Sequence, residues 1–403
     1  MNIEKYREKK ITIILAIGAL VVAIAIIAVV IGAIVRAQVK KQQSLPINDT
    51  DLGLLKAESS SQQNLIYSPL AIKYGLSILR DGANGDTRTQ IEKILNTDSL
   101  PEYQDSKNFA SMVNAVVFKN DLEGSISEDY TKKIADQYRA DVLYDDFKDN
   151  KELDRWLNSK TSYPIHGIGL HTDEHAQMTL INTFTVQPEW KSSFKYDETT
   201  GVDFYKDDGN TMKAAMMRQN TRSNSVGYRK ESNSTIVTMD LINHDDTALQ
   251  MVMVVSDGKL EQYIKEMTSS TLADIQTAAE KTKKASEVNG GVSLYIPRFN
   301  SDAELNLRSD LETLGMMDAF DEEKADFSQI SQNKITLSDI AHQANIELSE
   351  MSGAPEEIES QVAEDDTTIE IKLNKPFLFL IQNKDNGDVW FVGTMCEPEM
   401  WTQ

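Results

Sequence analysis

Three of the five histidines, His166, His171 and His175, lie within ten residues of one another, beside Asp173 and Glu174. On a helix, the i, i+4 spacing of His171 and His175 would place two imidazoles on one face, where they could bind a transition metal. Two glycines lie between the first two of these histidines, and glycine disfavours a helix. The segment is therefore predicted to be a solvated loop, and no metal site is predicted in the chain.

The single cysteine, Cys396, is a candidate nucleophile. It follows a predicted strand and precedes Glu397 and Pro398, so the sequence places no cation beside it that would lower the pKa of its thiol. A buried thiol without a catalytic role is the better interpretation. One cysteine also excludes an intrachain disulfide.

Other enzyme signatures are missing from the sequence. It contains no GxSxG, GK[ST] or HExxH motif, which removes the commonest hydrolase, nucleotide-binding and zinc-protease patterns. The acidic pairs Asp145-Asp146 and Glu356-Glu357 are consecutive, so their side chains would diverge on a strand and would not form a catalytic carboxylate pair. The chain is therefore predicted not to be an enzyme and to bind no cofactor.

The segment from Glu350 to Pro376 differs in composition from the rest of the chain. It shows no regular period before residues 368–373, where apolar and polar residues alternate as in a strand. Strand-like residues 377–381 and 389–393 follow, and a long loop held between ordered segments is usually functional or disordered. Composition alone leaves both a solvated linker and a functional loop open. Its acidic residues are Glu350, Glu356, Glu357, Glu359, Glu364, Asp365, Asp366 and Glu370.

Composition also limits the size of the core and the class of partner. The 403 residues are 40% hydrophobic, enough for one large core or two smaller ones. The formal net charge of -22 argues against nucleic acid as a partner, because proteins that bind phosphates neutralise them with Lys and Arg.

The first 50 residues predict a membrane anchor. Residues 11–35 are 25 consecutive uncharged, mostly aliphatic residues, which as a helix suffice to cross a bilayer core of about 30 Å. A cleaved signal peptide has a shorter apolar region, of about 7 to 15 residues. Four basic residues precede the span and three follow it, which favours a cytoplasmic tail at 1–10 and an external body. The polar residues 36–50 are predicted to be a stalk.

The remaining chain, residues 51–403, has the pattern of a mixed α+β protein with large antiparallel sheets. Helical spacing comes early and strand-like segments dominate later, without a regular alternation of strands and helices. Helices are predicted at 70–79, 86–95, 127–138, 259–267 and 303–314. Strands are predicted at 64–67, 112–118, 178–186, 235–241, 249–255, 292–296, 377–381 and 389–393.

Several segments resemble one protein family when they are taken together. Each is weak alone, but their order and spacing extend over residues 51–399. They are Asn64 to Pro69, Asp81 to Ile91, Asn114 to Phe118, Ile181 to Phe184 with Trp190 and Phe194, Val202 to Tyr205, Met216-Met217, Ile296 to Phe299, Leu311 to Met316, Ala325 to Ser328, His342 to Glu350, and Lys375 to Gly393 with Pro398. In this arrangement the chain resembles the serpin family.

The resemblance implies a single α+β domain over residues 51–403, with about nine helices, three mainly antiparallel sheets and an exposed reactive-centre loop at 350–376. In inhibitory serpins, a target protease cleaves this loop. The loop then inserts as a new central strand of the largest sheet and carries the distorted acyl-enzyme with it. The expected partner is therefore a serine or cysteine endopeptidase, and the protein is expected to be a monomer.

The resemblance also assigns roles to single residues. Ser68, Asn182 and His342 match the polar cluster beneath the sliding strands of that sheet. Trp190 matches the tryptophan where insertion begins, and Glu350 matches the glutamate that opens the hinge of the loop. The candidates for the scissile bond are Glu364, Asp365, Asp366 and Thr367. Such an acidic bait would require a protease with a basic specificity pocket.

The hinge departs from the family pattern, which has a run of small residues after the glutamate. The hinge residues here include Ser352, Gly353, Pro355, Glu357 and Glu359. If every second residue from Gly353 faced the core after insertion, two carboxylates would be buried at a cost of several kcal/mol each. A register shifted by one residue would bury a single carboxylate, that of Glu356. Pro355 would remove a hydrogen bond from the sheet in either register.

Two functions therefore stay open. The first is a membrane-tethered inhibitor of an external, acid-preferring protease. The second is a non-inhibitory binding or structural protein, whose loop a protease would cut as a plain substrate.

Overall fold

The computed structural model describes residues 47–402, except 98–99, 102, 104–109, 162–166, 171, 173, 243–246, 278–280, 351–362 and 364. The predicted cytoplasmic tail, the predicted transmembrane helix at 11–35 and most of the predicted stalk lie outside these residues. No helix in the described part of the chain is long and apolar enough to span a bilayer.

Eight α-helices lie in the described residues, where about nine were expected. They are α1 (Asp49–Glu58), α2 (Pro69–Gly82), α3 (Gly85–Leu95), α4 (Glu128–Tyr138), α5 (Lys151–Lys160), α6 (Leu260–Glu266), α7 (Ser269–Gln276) and α8 (Arg308–Thr313). The helices predicted at 70–79, 86–95, 127–138 and 259–267 are confirmed as α2, α3, α4 and α6.

Sixteen strands lie in the described residues. They are β1 (Leu65–Tyr67), β2 (Ala110–Lys119), β3 (Asp141–Asp145), β4 (Met178–Val186), β5 (Thr200–Tyr205), β6 (Thr211–Thr221), β7 (Val226–Lys230), β8 (Ser234–Asp240), β9 (Leu249–Ser256), β10 (Lys283–Lys284), β11 (Val292–Pro297), β12 (Phe299–Asn306), β13 (Leu337–Leu348), β14 (Ile369–Lys372), β15 (Phe377–Asn383) and β16 (Val389–Met395).

The strands form three sheets, and the described residues form one α+β domain, as the sequence predicted. The seven-stranded sheet has the order β1-β16-β15-β9-β8-β7-β10, the five-stranded sheet β12-β13-β4-β2-β3, and the four-stranded sheet β14-β11-β6-β5. Neighbouring strands are antiparallel except in the pairs β11 with β14, β13 with β4, and β2 with β3. The parallel pair β4 and β13 lies inside the five-stranded sheet.

Helix α2 is almost entirely buried, and its sequence explains where it begins and how it packs. The Ser68 side chain caps the helix by accepting a hydrogen bond from Ala71 N at 3.0 Å, and Pro69 occupies the first turn. Gly75 allows close approach to β4, because a Cβ there would lie 2.8 Å from Leu180 Cδ2. The packing of α2 thereby fixes Ser68 in the interior, below β4.

The helix predicted at 303–314 is wrong over its first part. Residues 299–306 form β12, an edge strand of the five-stranded sheet, and α8 begins only at Arg308. Alternate residues are buried from Phe299 to Ala303, and the residues between them are exposed. This two-residue period is the mark of a half-buried strand.

The five-stranded sheet carries an apolar layer on each face around β4. On one face, Phe184 of β4 stacks on Phe391 of β16, with ring centroids 4.7 Å apart. On the other face, Leu153 and Leu157 of α5 join Ile181 of β4 in a separate apolar cluster. Because β4 lies between two apolar layers, a polar side chain there is costly unless it is hydrogen-bonded.

Candidate functional site

β4 and β13 are parallel neighbours inside the five-stranded sheet, and we call the boundary between them the seam. The pairing extends from Leu337 with Met178 to Ile346 with Val186. β13 ends at Leu348, and the chain then enters the predicted reactive loop 350–376, which includes β14 of the four-stranded sheet. The loop thus starts at one end of the seam, and separation of β4 from β13 would open a slot beside it.

The structure brings Ser68, Asn182 and His342 together beneath the seam. His342 and Asn182 are register partners on β13 and β4, and His342 Nδ1 lies 2.6 Å from Asn182 Oδ1. Ser68 N donates a hydrogen bond to His342 Nε2 at 2.9 Å. Each of the three residues is at most 1% exposed. Their role in sheet opening stays a prediction.

Asn114 of β2 is a fourth member of this cluster, and the sequence analysis did not single it out as a site residue. Asn182 Nδ2 donates to Asn114 Oδ1 at 2.6 Å and to Ala71 O at 2.9 Å. Because Asn114 and Asn182 are also register partners, His342, Asn182 and Asn114 form one row across β13, β4 and β2. We call this set the polar row. The signal in the sequence was a single asparagine inside the apolar run 112–118.

The hydrogen bonds define the protonation state of His342. Because Ser68 N–H donates to Nε2, the ring proton lies on Nδ1, from which it is donated to Asn182 Oδ1. A protonated ring would turn a second N–H toward the Ser68 N–H. Burial lowers the pKa of His342 to about 3, because the charged imidazolium would lose its hydration. At neutral pH the polar row is therefore held together by hydrogen bonds between uncharged groups.

Trp190 lies at the end of the seam where the loop begins. Its Nε1 donates to Ser349 O at 3.1 Å, and its ring packs edge-on against Phe194 with 5.7 Å between centroids. The side chain is buried, with 2% exposure. A strand entering the seam from this end would have to displace the hydrogen bond between Trp190 and Ser349.

Glu350, the predicted hinge residue, is held in a buried ion pair. Arg298 donates two hydrogen bonds of 2.7 Å to its carboxylate, one from Nε and one from the terminal guanidinium nitrogen, and the Thr199 hydroxyl donates a third. The Arg298 guanidinium also lies over the Tyr196 ring, 4.8 Å from its centroid. Burial alone would raise the pKa of Glu350, but the hydrogen bonds from Arg298 and Thr199 outweigh it and lower that pKa. Neither Arg298 nor Thr199 was among the predicted site residues.

The far end of the loop is a β-turn of residues 365–368, which we call the acidic turn. Thr368 N donates to Asp365 O at 3.0 Å and closes the turn. Asp365 Oδ1 accepts hydrogen bonds from Thr367 N at 2.7 Å and from Thr367 Oγ1 at 2.5 Å. Thr368 Oγ1 donates to Gly290 O at 3.0 Å, which ties the turn to the segment before β11. Asp365, Asp366 and Thr367 are exposed.

The other residues that the sequence singled out either lie outside the described part of the chain or form no site there. Lying outside the described residues are the hinge positions Ser352, Gly353, Pro355, Glu357 and Glu359, the scissile candidate Glu364, and His166, His171 and Asp173 of the histidine segment. His175 and Glu174 are exposed, and no group of three metal-ligating side chains occurs in the described part of the chain. Cys396 is buried, and burial raises the pKa of its thiol to about 12, which makes it a poor nucleophile at neutral pH.

Comparison with known proteins finds a match over most of this body. A family model described as Serpin (serine protease inhibitor) matches residues 48–398. Neuroserpin from Homo sapiens is 24% identical over 368 residues, which cover 85% of this chain and 88% of the relative. Plasminogen activator inhibitor 1 from Sus scrofa is 26% identical over 380 residues, with 85% and 88% covered.

Solved structures show the same fold. The thermophilic serpin tengpin in its native state superposes with a TM-score of 0.72 at 23% identity, covering 88% of this chain and 97% of that one. Uncleaved ovalbumin superposes with a TM-score of 0.73 at 22% identity, covering 87% and 98%.

Proposed function

Because the chain belongs to the serpin family, we propose that it is a membrane-tethered protease inhibitor whose loop at 350–376 is cleaved by its target and then inserted between β4 and β13. The protein is not itself the catalyst in this scheme. It is a substrate that traps the protease during turnover.

The observation that carries this proposal is the seam. β4 and β13 are parallel neighbours, so a loop strand that folded back from Glu350 would run antiparallel to both and could hydrogen-bond to each of them. Opening the seam would separate His342 from Asn182, so the polar row acts as a latch on the slot. The relative named Plasminogen activator inhibitor 1 supports a protease as the partner.

The tether is proposed from the sequence of residues 11–35. Their 25 uncharged residues would place a single-pass helix in the bilayer, and the basic residues 5, 7, 9 and 10 would keep the tail 1–10 in the cytoplasm. Residues 51–403 would then form a monomeric inhibitor on the external face, lifted from the membrane by the stalk 36–50. Its targets would be proteases that act at that membrane surface.

The proposed target prefers acidic residues. The candidates for the cleaved bond form the run Glu364, Asp365, Asp366 and Thr367, and this bait would be bound best by a specificity pocket that is basic. Serine or cysteine endopeptidases of that specificity are the proposed partners, because only a covalent acyl-enzyme can be carried along by the loop.

A second function is supported by the hinge sequence. Pro355, Glu357 and Glu359 are poor residues for the interior of a sheet, since proline lacks the N–H that a central strand must donate and a buried carboxylate is costly. If these costs prevent insertion, the domain is a binding or structural protein that proteases cut as a substrate. Uncleaved ovalbumin has the same fold.

The experiment that tests the proposal is a trapping assay with the full chain in detergent micelles. Aspartate- and glutamate-specific serine endopeptidases are added, and the products are separated by denaturing electrophoresis. A band at the mass of the protease plus the chain without its released C-terminal fragment supports the inhibitor, whereas loop cleavage without this band and without a rise in melting temperature contradicts it. A protease whose catalytic serine is replaced by alanine is the control, because it binds but cannot form the acyl-enzyme.

The hinge is tested in the same assay with two variants. Replacing Pro355, Glu357 and Glu359 together by alanine should increase the ratio of trapped complex to cleaved substrate, because these side chains would face the core in the first register. Glu356→Ala is the matched control, since it removes one loop charge that faces outward in that register. Because Pro355 removes a sheet hydrogen bond in either register, the triple variant should gain in both; a larger gain with Glu356→Ala than with the triple variant would show that the shifted register is the correct one.

A further inference from the structure

The two neighbouring aspartates of the acidic turn differ in what their carboxylates do. Asp365 Oδ1 accepts hydrogen bonds from Thr367 N and from Thr367 Oγ1, and it therefore faces back into the turn. These two bonds lower the pKa of the Asp365 carboxyl. Asp366 is exposed, and no hydrogen bond or ion pair joins its carboxylate to any other described residue.

The turn is anchored from outside the loop as well. Asp365 N donates to Thr368 Oγ1 at 3.0 Å, and that hydroxyl donates in turn to Gly290 O. Ile369 N donates to Gly291 O at 3.1 Å, at the start of β14. A Cβ on Gly290 would lie 2.5 Å from the Thr367 carbonyl carbon, so the backbone of the turn packs directly on this glycine. Asp366 and Thr367 are the two central residues of this turn, and the peptide bond between them is at its tip.

Building on the proposed function, we propose that the protease cleaves the bond between Asp366 and Thr367. The side chain of Asp366 binds in the specificity pocket of the protease, and Asp365 is a positioning residue. The carboxylate of Asp365 is already used inside the turn, whereas that of Asp366 is available to a basic pocket without breaking a hydrogen bond. The substrate class is therefore an aspartyl bond followed by threonine, and the matching partner is an aspartate-specific endopeptidase.

The turn must also open before the protease can cleave the bond. Proteases bind the residues around the cleaved bond as an extended strand. A β-turn at 365–368 has to open before the bond can enter the catalytic cleft, so the hydrogen bonds of Asp365 slow the cut. Removing the acceptor at position 365 should therefore accelerate cleavage, whereas removing the charge at position 366 should nearly abolish it.

The test is to incubate the full chain with an aspartate-specific serine endopeptidase and to measure the new N-terminus and the rate of cleavage by intact-mass spectrometry. Wild type should give a fragment that begins at Thr367. Asp366→Asn should lower the rate on the order of 100-fold, because the pocket is left with an unpaired charge. Asp365→Ala should raise the rate about threefold to tenfold, the factor that one or two exposed hydrogen bonds supply.

Two variants separate positioning from recognition. Asp365→Asn keeps an oxygen acceptor and should cleave at the wild-type rate, although it removes a charge. Gly290→Ala leaves the loop sequence unchanged but displaces the turn, and it should accelerate cleavage as Asp365→Ala does. A cut before Asp366, a cut elsewhere, no cut, or a large loss with Asp365→Asn would each overturn the assignment.

Complex formation is scored in the same samples and reports on the proposed function separately. Cleavage before Thr367 without a denaturant-stable complex supports the assignment of the bond and contradicts inhibition. A stable complex whose released fragment begins at another residue supports inhibition and contradicts the assignment.

Discussion

Replacing His342 by glutamine should remove an acid-sensitive part of the stability of the fold. In the native protein His342 must stay neutral, since its Nε2 accepts from Ser68 N while its Nδ1 donates to Asn182. Glutamine also offers an acceptor oxygen and an amide NH₂ donor group, but it does not titrate. The variant should therefore fold at neutral pH and lose less stability than wild type in acid.

The size of the effect follows from the two pKa values of the histidine. An unfolded histidine titrates at 6.5, and burial lowers the pKa of His342 in the fold to about 3. Between these values the unfolded chain binds about one more proton than the native chain, so the free energy of unfolding falls as the pH falls from 6.5 toward 3. At about 1.4 kcal/mol per pH unit, the histidine should cost about 2 kcal/mol at pH 5 relative to pH 7.

Urea unfolding at pH 7 and pH 5 measures this difference. The change in unfolding free energy between the two pH values should be about 2 kcal/mol larger for wild type than for His342→Gln. His175→Gln, which replaces an exposed histidine, is the matched control and should behave as wild type does. If wild type and His342→Gln lose the same stability in acid, the polar row does not require a neutral imidazole and the reasoning fails.

Two other ionisable sites give further predictions. Arg298→Gln leaves buried Glu350 without its cation and should lower the unfolding free energy by about 3 kcal/mol. Arg298→Lys keeps the charge and should lose about half as much. Equal urea midpoints for wild type and the two variants would contradict this prediction. Burial and the neighbouring carboxyl of Asp310 raise the pKa of Glu58 from 4.5 to about 7, so its carboxylate destabilises the fold increasingly as the pH rises from 4.5 to 7. Glu58→Gln should therefore raise the melting temperature at pH 8 and leave it unchanged at pH 4.5. The gain at pH 8 corresponds to about 1 kcal/mol of unfolding free energy, after allowance for the partial exposure of the Glu58 side chain. An equal gain at both pH values would show that the charge is not the cause.

Periodicity in the sequence was sufficient for elements whose pattern is long and one-sided. The buried helix α2 has a capping serine and an initial proline, and β4 is rich in β-branched and apolar residues, so both were predicted within a few residues. The strand at 299–306 was not predicted, because the helical spacing of the residues that follow it can be extended back into this segment, which has a two-residue period. Edge strands such as β12 are easily mistaken for helices in this way, since half of their residues are polar.

The candidate site was only partly predictable because its contacts join distant parts of the chain. Asn114 bonds to Asn182, 68 positions away, and Glu350 bonds to Thr199, 151 positions away. These partners follow from the register of β2 with β4 and from the packing of Thr199, just before β5, against the residues that follow β13, and no local pattern contains that information. The family resemblance supplied Ser68, Asn182, His342 and Trp190, but it did not supply the residues that bind Glu350.

The contacts that restrain the seam lie close together, on β13 and the residues directly after it. Under the proposed function, they are the contacts that an inserting loop must break. The contacts of His342, Ser349 and Glu350 all belong to β13 and the residues directly after it, so a loop that enters from this end meets the Glu350 ion pair and the Trp190 hydrogen bond before the polar row. Each neutral bond is worth about 1 kcal/mol net, and it is replaced by bonds to the incoming strand. A hinge carboxylate that enters the interior has no such replacement and costs several kcal/mol. Under the proposed function, insertion is therefore expected to depend on Pro355 and on the number of hinge carboxylates that face inward.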